Sequence, residues 1–183
     1  RGHTVRMLCR SPDKVEKENE GLVLIKGDAT SVDDLKKVCD GCDVLVSTLG
    51  NKNKLYIMES TARALLELRQ SSPELRILWI SSLGMGGSSR TVRGVLKLIN
   101  VAKGEQNVED YDKADALLNG ETNIVVVRPD GLTDDPGKGS YSATLEKGMG
   151  MGGLSKQDVA LFFADLLEDI QYDGGAVQLY KAK

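Results

Sequence analysis

Six short, largely apolar runs recur along the chain, at 5–9 (VRMLC), 22–25 (LVLI), 44–47 (VLVS), 76–80 (RILWI), 124–127 (IVVV) and 177–180 (VQLY). Stretches with helical spacing or turn residues separate them. A strand with one wet face alternates apolar and polar residues. A continuous apolar run belongs to a strand covered on both sides, as in a parallel sheet between helices. The pattern therefore predicts an α/β domain, a three-layer doubly wound parallel sheet spanning 1–183 as one unit.

The helical stretches carry their own punctuation. Ser31 with Asp34 three residues on is a capping-box pattern, and the helix it opens should stop at Gly41. A long helix over about 54–70 places Leu55, Met58, Ala62, Leu65, Leu66 and Leu68 mostly at helical spacing. Further helices are expected around 92–101 and 105–118. A last one follows Ser155, again with an acid three residues on at Asp158. The segment 128–141 (RPDGLTDDPGKGSY) reads as a loop and 141–145 as a short strand.

Composition narrows the partners. Charged residues make up 28% of the 183 and the formal net charge is −3, which suggests neither nucleic-acid binding nor a disordered tail. No apolar run approaches a membrane span and no signal-peptide pattern opens the chain. Three cysteines argue against a disulfide framework and fit a reducing compartment. The expectation is a soluble cytoplasmic domain acting on small molecules, with no membrane or nucleic-acid partner; oligomeric state is not legible.

GMGMGG at 148–153 has the G-x-G-x-x-G spacing of a dinucleotide fingerprint. That motif works only at a strand-to-helix turn, where glycines let backbone approach a pyrophosphate at a helix N-terminus. Here one helix and one short strand follow, and the acid expected about 20 residues on would fall near Asp173, ahead of that strand. The motif reads as a decoy, better suited to a flexible loop beside a substrate pocket. In a doubly wound sheet, the phosphate loop lies just before the second strand. Arg1-Gly2-His3 reads as the tail of the helix before that strand. The phosphate loop is thus expected ahead of Arg1, in a β-turn-α unit of on the order of 25 residues, whose strand would be central in the sheet.

The segments RGHTVRMLCRSPDK, KGDATSVDDL, CDVLVSTLG, WISSLG, VVVRPDGLTDDPGKG and LSKQDVALF, in this order and spacing, resemble the atypical short-chain dehydrogenase/reductase superfamily. The similarity is to its small NAD(P)H-binding branch, nearest the flavin reductase/biliverdin reductase B group, with NmrA-like redox sensors as cousins. It covers nearly the whole chain. The resemblance implies a Rossmann sheet in order 3-2-1-4-5-6-7 and a nicotinamide cofactor.

Arg10 and Ser11 end the second strand of that scheme, where NAD-specific proteins keep an acid for the ribose 2′-hydroxyl. A guanidinium and a hydroxyl suit the 2′-phosphate of NADP; the alternative is a solvated surface arginine. Asp28, with Ala29 beside it, would meet the adenine by resemblance, or would simply be an acid ahead of the helix at Ser31. Thr48, Leu49 and Gly50 end the next strand, where the family passes ribose and phosphates. Lys52 beyond them contacts cofactor or is solvated. By resemblance Ser82 holds the catalytic-position serine, with Ser81 as rival, and Pro129 places its loop against the nicotinamide.

Tyr111 departs from the wider superfamily. Orthodox members use Tyr-x-x-x-Lys, the lysine lowering the phenol's pKa so that it can donate a proton. Here Asp115 stands at the lysine position and Lys113 points to another face. The pattern favours chemistry in which the cofactor does most of the work. The expected activity is an NADPH-dependent reductase of a flavin, quinone or similar planar acceptor, Ser82 orienting the acceptor; the alternative is a non-catalytic NADP-binding regulator. The C-x-x-C at Cys39–Cys42 closes a helix where redox pairs open one, so it reads as structural. His3 is assigned no role and no metal site is expected.

Overall fold

A computed structural model describes residues 2–15, 21–51, 55–85, 104–145 and 152–182 of the protein. The six apolar runs are all strands. β1 (Val5–Cys9), followed by a 3-10 turn at Pro12–Lys14, pairs in parallel with β2 (Leu22–Lys26). α1 (Val32–Cys39) leads to β3 (Val44–Ser47), α2 (Met58–Ser71) to β4 (Arg76–Ile80), and α3 (Glu105–Leu118) to β5 (Ile124–Pro129). Then come β6 (Leu132–Thr133), β7 (Tyr141–Thr144), β8 (Leu154–Ser155), α4 (Lys156–Glu168) and β9 (Gly175–Lys181).

Among the described residues the strands group as β1-β2, β3-β4-β5-β9-β7 and the small pair β6-β8. Each of these pairings is parallel except β7 with β9. The sheet is thus mainly parallel, with an antiparallel strand at one edge, a common finish for such sheets.

Period-two alternation splits β4 and β5 between two cores. Ile77, Trp79, Ile124 and Val126 face Met58, Ala62, Leu65, Leu68, Ala114 and Leu118 of α2 and α3. Leu78, Val125 and Val127 face the other way, with Val159, Phe162, Phe163 and Leu166 of α4. Ile77, Leu78 and Trp79 are fully buried, each contributing roughly 1.5–3 kcal/mol by burial. The result is the three-layer architecture expected.

Two helix starts differ from the sequence reading. α2 begins at Met58, leaving Leu55 ahead of it and 43% exposed. No side chain of Ile57 caps that helix; the carboxylate of Asp110 in α3 does so, accepting the N–H groups of Met58 and Glu59 at 2.9 and 3.1 Å. In α4, Ser155 Oγ accepts the N–H of Gln157, but Asp158 does not close a capping box. Its oxygens accept Lys138 and Gly139 N–H at 3.1 and 2.9 Å, pinning the loop after β6. Ser31 does cap α1, accepting from Asp34 N–H. The helix expected around 92–101 lies outside the described residues.

Candidate functional site

Ligands of open α/β sheets sit beyond the carboxyl ends of the parallel strands, and the candidate residues gather there in three groups. The first spans the tips of β1 and β2, tied by Gly27 N–H donating to the Cys9 carbonyl at 3.1 Å. Arg10, Ser11 and Asp28 are exposed and Ala29 is half-buried. Asp28 Oδ1 accepts both the backbone N–H and the hydroxyl of Thr30 at 2.8 Å. Those bonds, with the charge of Arg10 nearby, hold the Asp28 carboxyl below its ordinary value. Asp28 therefore shapes the turn into α1, and Arg10 stands within electrostatic reach of it.

The second group is the turn after β3. Thr48 and Gly50 are exposed, while Leu49 packs onto the core. A Cβ on Gly50 would lie 3.2 Å from Tyr111 Oη, so this backbone passes close to α3. Asn51 fastens the turn: its Oδ1 accepts Ile57 N–H at 3.1 Å and its Nδ2 donates to Asp110 Oδ2 at 2.8 Å. Asp110 thus satisfies the start of α2 and the turn together. A helix N-terminus with orphan N–H groups attracts anions; this one already faces a carboxylate and offers no phosphate cradle. Lys52 lies outside the described residues.

Tyr111 leans against this turn. Burial pushes its phenol above the ordinary value and the charges of Asp110 and Asp115 push the same way, opposed by the backbone N–H of Asn51. Lys113 gives no relief, because its amine pairs with Glu109 at 2.8 Å and Glu59 at 3.6 Å. The phenol is thus poorly suited to shed a proton at neutral pH.

The third group lies at the ends of β4 and β5. Ser82 is half-buried, its hydroxyl donating to the Leu83 carbonyl at 3.3 Å. Ser81, 6% exposed, turns to the opposite side, next to Asp115 of α3. Leu83 N–H donates to the Pro129 carbonyl at 2.9 Å, which joins the Ser82 turn to the end of β5. Pro129 itself is buried as the last residue of that strand. Of the two serines, Ser82 has the more accessible hydroxyl.

Several residues that shape these groups were not singled out from sequence. Asn51, Asp110 and Arg128 each act through partners far along the chain. Arg128 carried a signal: a charged residue within the last positions of an otherwise apolar strand. Asp110 carried none, being one of several acids on α3.

The other motifs settle elsewhere. In GMGMGG the first four residues lie outside the described set. Gly152 N–H donates to Asp130 Oδ2 at 3.1 Å, and a Cβ on Gly153 would collide with Thr133 Cγ2 at 2.2 Å. Gly153 thus allows close packing against β6, whereas a Cβ on Gly152 would meet nothing within 4 Å. Cys39 and Cys42 are free thiols, and burial with the neighbouring Cys42 pushes Cys39 up to about 11, leaving it a protonated thiol at neutral pH. They line a cleft of about 420 Å³ with Asp43 and Leu75, at the opposite end of the sheet. Among the described residues no cluster of acids, cysteines and histidine could hold a metal ion, and no helix is long and apolar enough to cross a membrane.

Comparison with known proteins places this geometry. The family profile described as NAD(P)H-binding matches residues 1–170. No curated protein matches the chain by sequence. Among solved structures, the anaerobilin reductase ChuY of Escherichia coli O157:H7 is similar at a TM-score of 0.80 and 19% identity, over 98% of this chain and 85% of that one. The oxidoreductase YlbE of Lactococcus lactis aligns at 0.82 and 15%, over 100% and 82%. A short-chain dehydrogenase/reductase of Veillonella parvula in complex with NADP aligns at 0.69 and 16%, over 97% and 82%. At these identities the likeness is one of fold.

Proposed function

The chain belongs to the NAD(P)H-binding family, and we propose that within it this protein is an NADPH-dependent reductase of a flavin, quinone or similar planar acceptor. The observation that carries the choice of NADPH is the tip of β1, where exposed Arg10 and Ser11 stand in place of an acid. A guanidinium pairs with phosphate oxygens through its planar fork, whereas a carboxylate there would repel a 2′-phosphate. The nearby carboxylate of Asp28 is engaged by Thr30. The NADP bound by the Veillonella parvula relative and the reductase activity named for ChuY support the same reading.

In this reading the residues would meet the cofactor in order along the strand ends. Arg10 and Ser11 would hold the 2′-phosphate, Asp28 and Ala29 the adenine, and Thr48, Leu49 and Gly50 the ribose and phosphates. Pro129 would lie against the nicotinamide and Ser82 would orient the acceptor. Gly50 suits its place because Tyr111 stands too close behind it for a side chain to be carried freely. When bound, NADPH supplies the hydride; the protein's part is to orient the two reactants and exclude water. The high pKa of Tyr111 favours acceptors that need no strong protein acid.

Titrating the protein with NADPH and NADH tests the assignment. NADPH should bind tighter, and Arg10→Ala should weaken NADPH by about tenfold or more, as expected for a charged hydrogen bond, with little effect on NADH. Equal affinities in the wild type refute the NADPH assignment. NADPH oxidation over a panel of flavins and quinones then tests the activity. Tight binding without turnover would favour a non-catalytic NADP-binding regulator, the reading that the raised Tyr111 pKa and the missing lysine support.

A further inference from the structure

Beneath the ends of β4 and β5 sits an ion pair that neither cofactor binding nor packing calls for. Arg128 Nε donates to Asp115 Oδ2 at 2.9 Å, and the two side chains are 5% and 1% exposed. Their neighbours on that face, Ala114, Leu118, Val126 and Ile124, form an apolar core. Arg128 Nη2 is buried without a hydrogen-bond partner among the described residues, so the guanidinium is only partly satisfied. An apolar pair of similar volume often serves stability equally well or better at such a position. The chain keeps two charges there.

What the pair does touch is the frame of the candidate site. Arg128 precedes Pro129, whose carbonyl accepts Leu83 N–H; one strand over, Ser81 N–H donates to the Val127 carbonyl at 2.7 Å. The Ser81 hydroxyl lies on the Asp115 side, where it and Arg128 both favour the ionised carboxylate against the cost of burial. Asp115 therefore braces the end of β5, which carries Pro129, through Arg128, and the Ser81–Val127 backbone bond passes that constraint to the end of β4, which carries Ser82. Ser81 Oγ and Asp115 Oδ1 themselves have no hydrogen-bond partner among the described residues. The same helix, four and five residues back, holds the Gly50–Asn51 turn through Tyr111 and Asp110.

We propose that Asp115 is a positioning residue: through Arg128 it fixes Ser82 and the Pro129 turn relative to each other, and so sets where the acceptor lies against the nicotinamide. This deepens the reductase reading and rests on it. Neither side chain touches the reactants. Loss of the pair should appear in turnover while cofactor affinity, set at the β1 and β2 tips, stays nearly constant.

The test replaces the pair by an apolar one, Asp115→Leu with Arg128→Met, which removes the struts and the burial penalty together. The double variant should melt within a few degrees of wild type and bind NADPH within about threefold. Its kcat with the best acceptor should fall at least tenfold. A double variant that is stable and turns over like wild type overturns the proposal. Should it not fold, Asp115→Asn and Arg128→Lys decide the matter, assayed where both are fully folded. A tenfold loss in kcat with unchanged NADPH affinity supports positioning, and unchanged kcat overturns it. If wild type binds NADPH but reduces no acceptor, the reductase reading has failed by itself. The emission of bound NADPH is then the readout, expected to shift in the double variant and, if unmoved, overturning the positioning role. A wild type that binds no NADPH sinks both.

Discussion

β4 and β5 bury Ile77, Leu78 and Trp79 and all of 124–127 completely, whereas β1 and β2 leave Val5, Met7 and Val23 at 51, 39 and 47% exposed. The two regions are equally apolar in sequence. They differ in what covers them. β4 has β3 and β5 at its edges and helices on both faces. Among the described residues β1 packs on α1, where Leu8 joins the core and Arg6 donates to the Lys37 and Asp40 carbonyls at 2.7 and 3.1 Å. Val46 of β3, a strand paired only with β4 among the described residues, is 40% exposed. An apolar run therefore reports that a strand exists, and only its neighbours decide how much that strand contributes to stability.

The largest expected effect tests this contrast directly. Trp79→Ala should cost about 3–5 kcal/mol, the loss typical of emptying a fully buried aromatic site. Met7→Ala should cost no more than about 1 kcal/mol, because much of that side chain already meets water. Urea unfolding of the two variants measures both numbers. Equal losses would mean that β1 is as well covered in solution as β4, and the contrast would fall.

Much of the fold was legible because its signals are local. Continuous apolar runs marked the strands, and Ser31 and Gly41 bracketed α1 as they stand in the structure. The start of α2 was not legible, since its cap is Asp110, 52 residues away from Met58. The antiparallel pairing of β7 escaped for the same reason: orientation depends on which edge a strand reaches. For the site, residues at strand tips could be named from their order, but those that brace them could not. Asp115 was visible only as a departure from Tyr-x-x-x-Lys, and its partner Arg128 only as an odd charge.

Asp110 offers the next largest effect and lies wholly in the well-covered region. Asp110→Ala removes the acceptor for two backbone N–H groups and for Asn51 Nδ2. The loss should be about 1–2 kcal/mol, the upper part of the range for helix caps. Amide exchange should quicken at Met58 and Glu59 before the rest of α2. Exchange that stays slow there would show that packing alone holds the helix start. Across the divide, Gly27→Ala is the matching perturbation at the tip of β2. Its Cβ would meet Leu8 Cδ1 at 2.7 Å and the Asp34 carboxylate at 2.9 Å. Both are side-chain ends that can yield, so a cost near 1 kcal/mol is expected. The Asp34 bond to Asp28 N–H, 3.0 Å long, would be lost with it. A cost well above that of Asp110→Ala would reverse the ranking of the two regions.

The smallest effect is one of sign, and it separates the regions through pH. Asp28, at the β2 tip, has a folded pKa held below its ordinary value of 3.8, chiefly by the Thr30 backbone and hydroxyl bonds. The folded state then binds fewer protons than the unfolded one as the medium is acidified. Stability from Asp28 is therefore fully present above the unfolded value and is lost as pH falls through the folded one. Asp115, under β4 and β5, is shifted the other way by burial, against the pull of Arg128. Its folded state holds the proton longer, so its contribution declines as pH rises from 3.8 toward the folded pKa. Melting temperatures of wild type, Asp28→Asn and Asp115→Asn between pH 3 and 7 read both slopes by difference. Relative to wild type, Asp28→Asn should lose its deficit toward acid, while the deficit of Asp115→Asn should grow toward acid. Since Asp28 is exposed, solvent screens its share and its slope should be the shallower. Two slopes of the same sign would mean that the buried carboxylate is held by Arg128 more strongly than burial opposes it, and that the two ends of the sheet differ in cover but not in electrostatics.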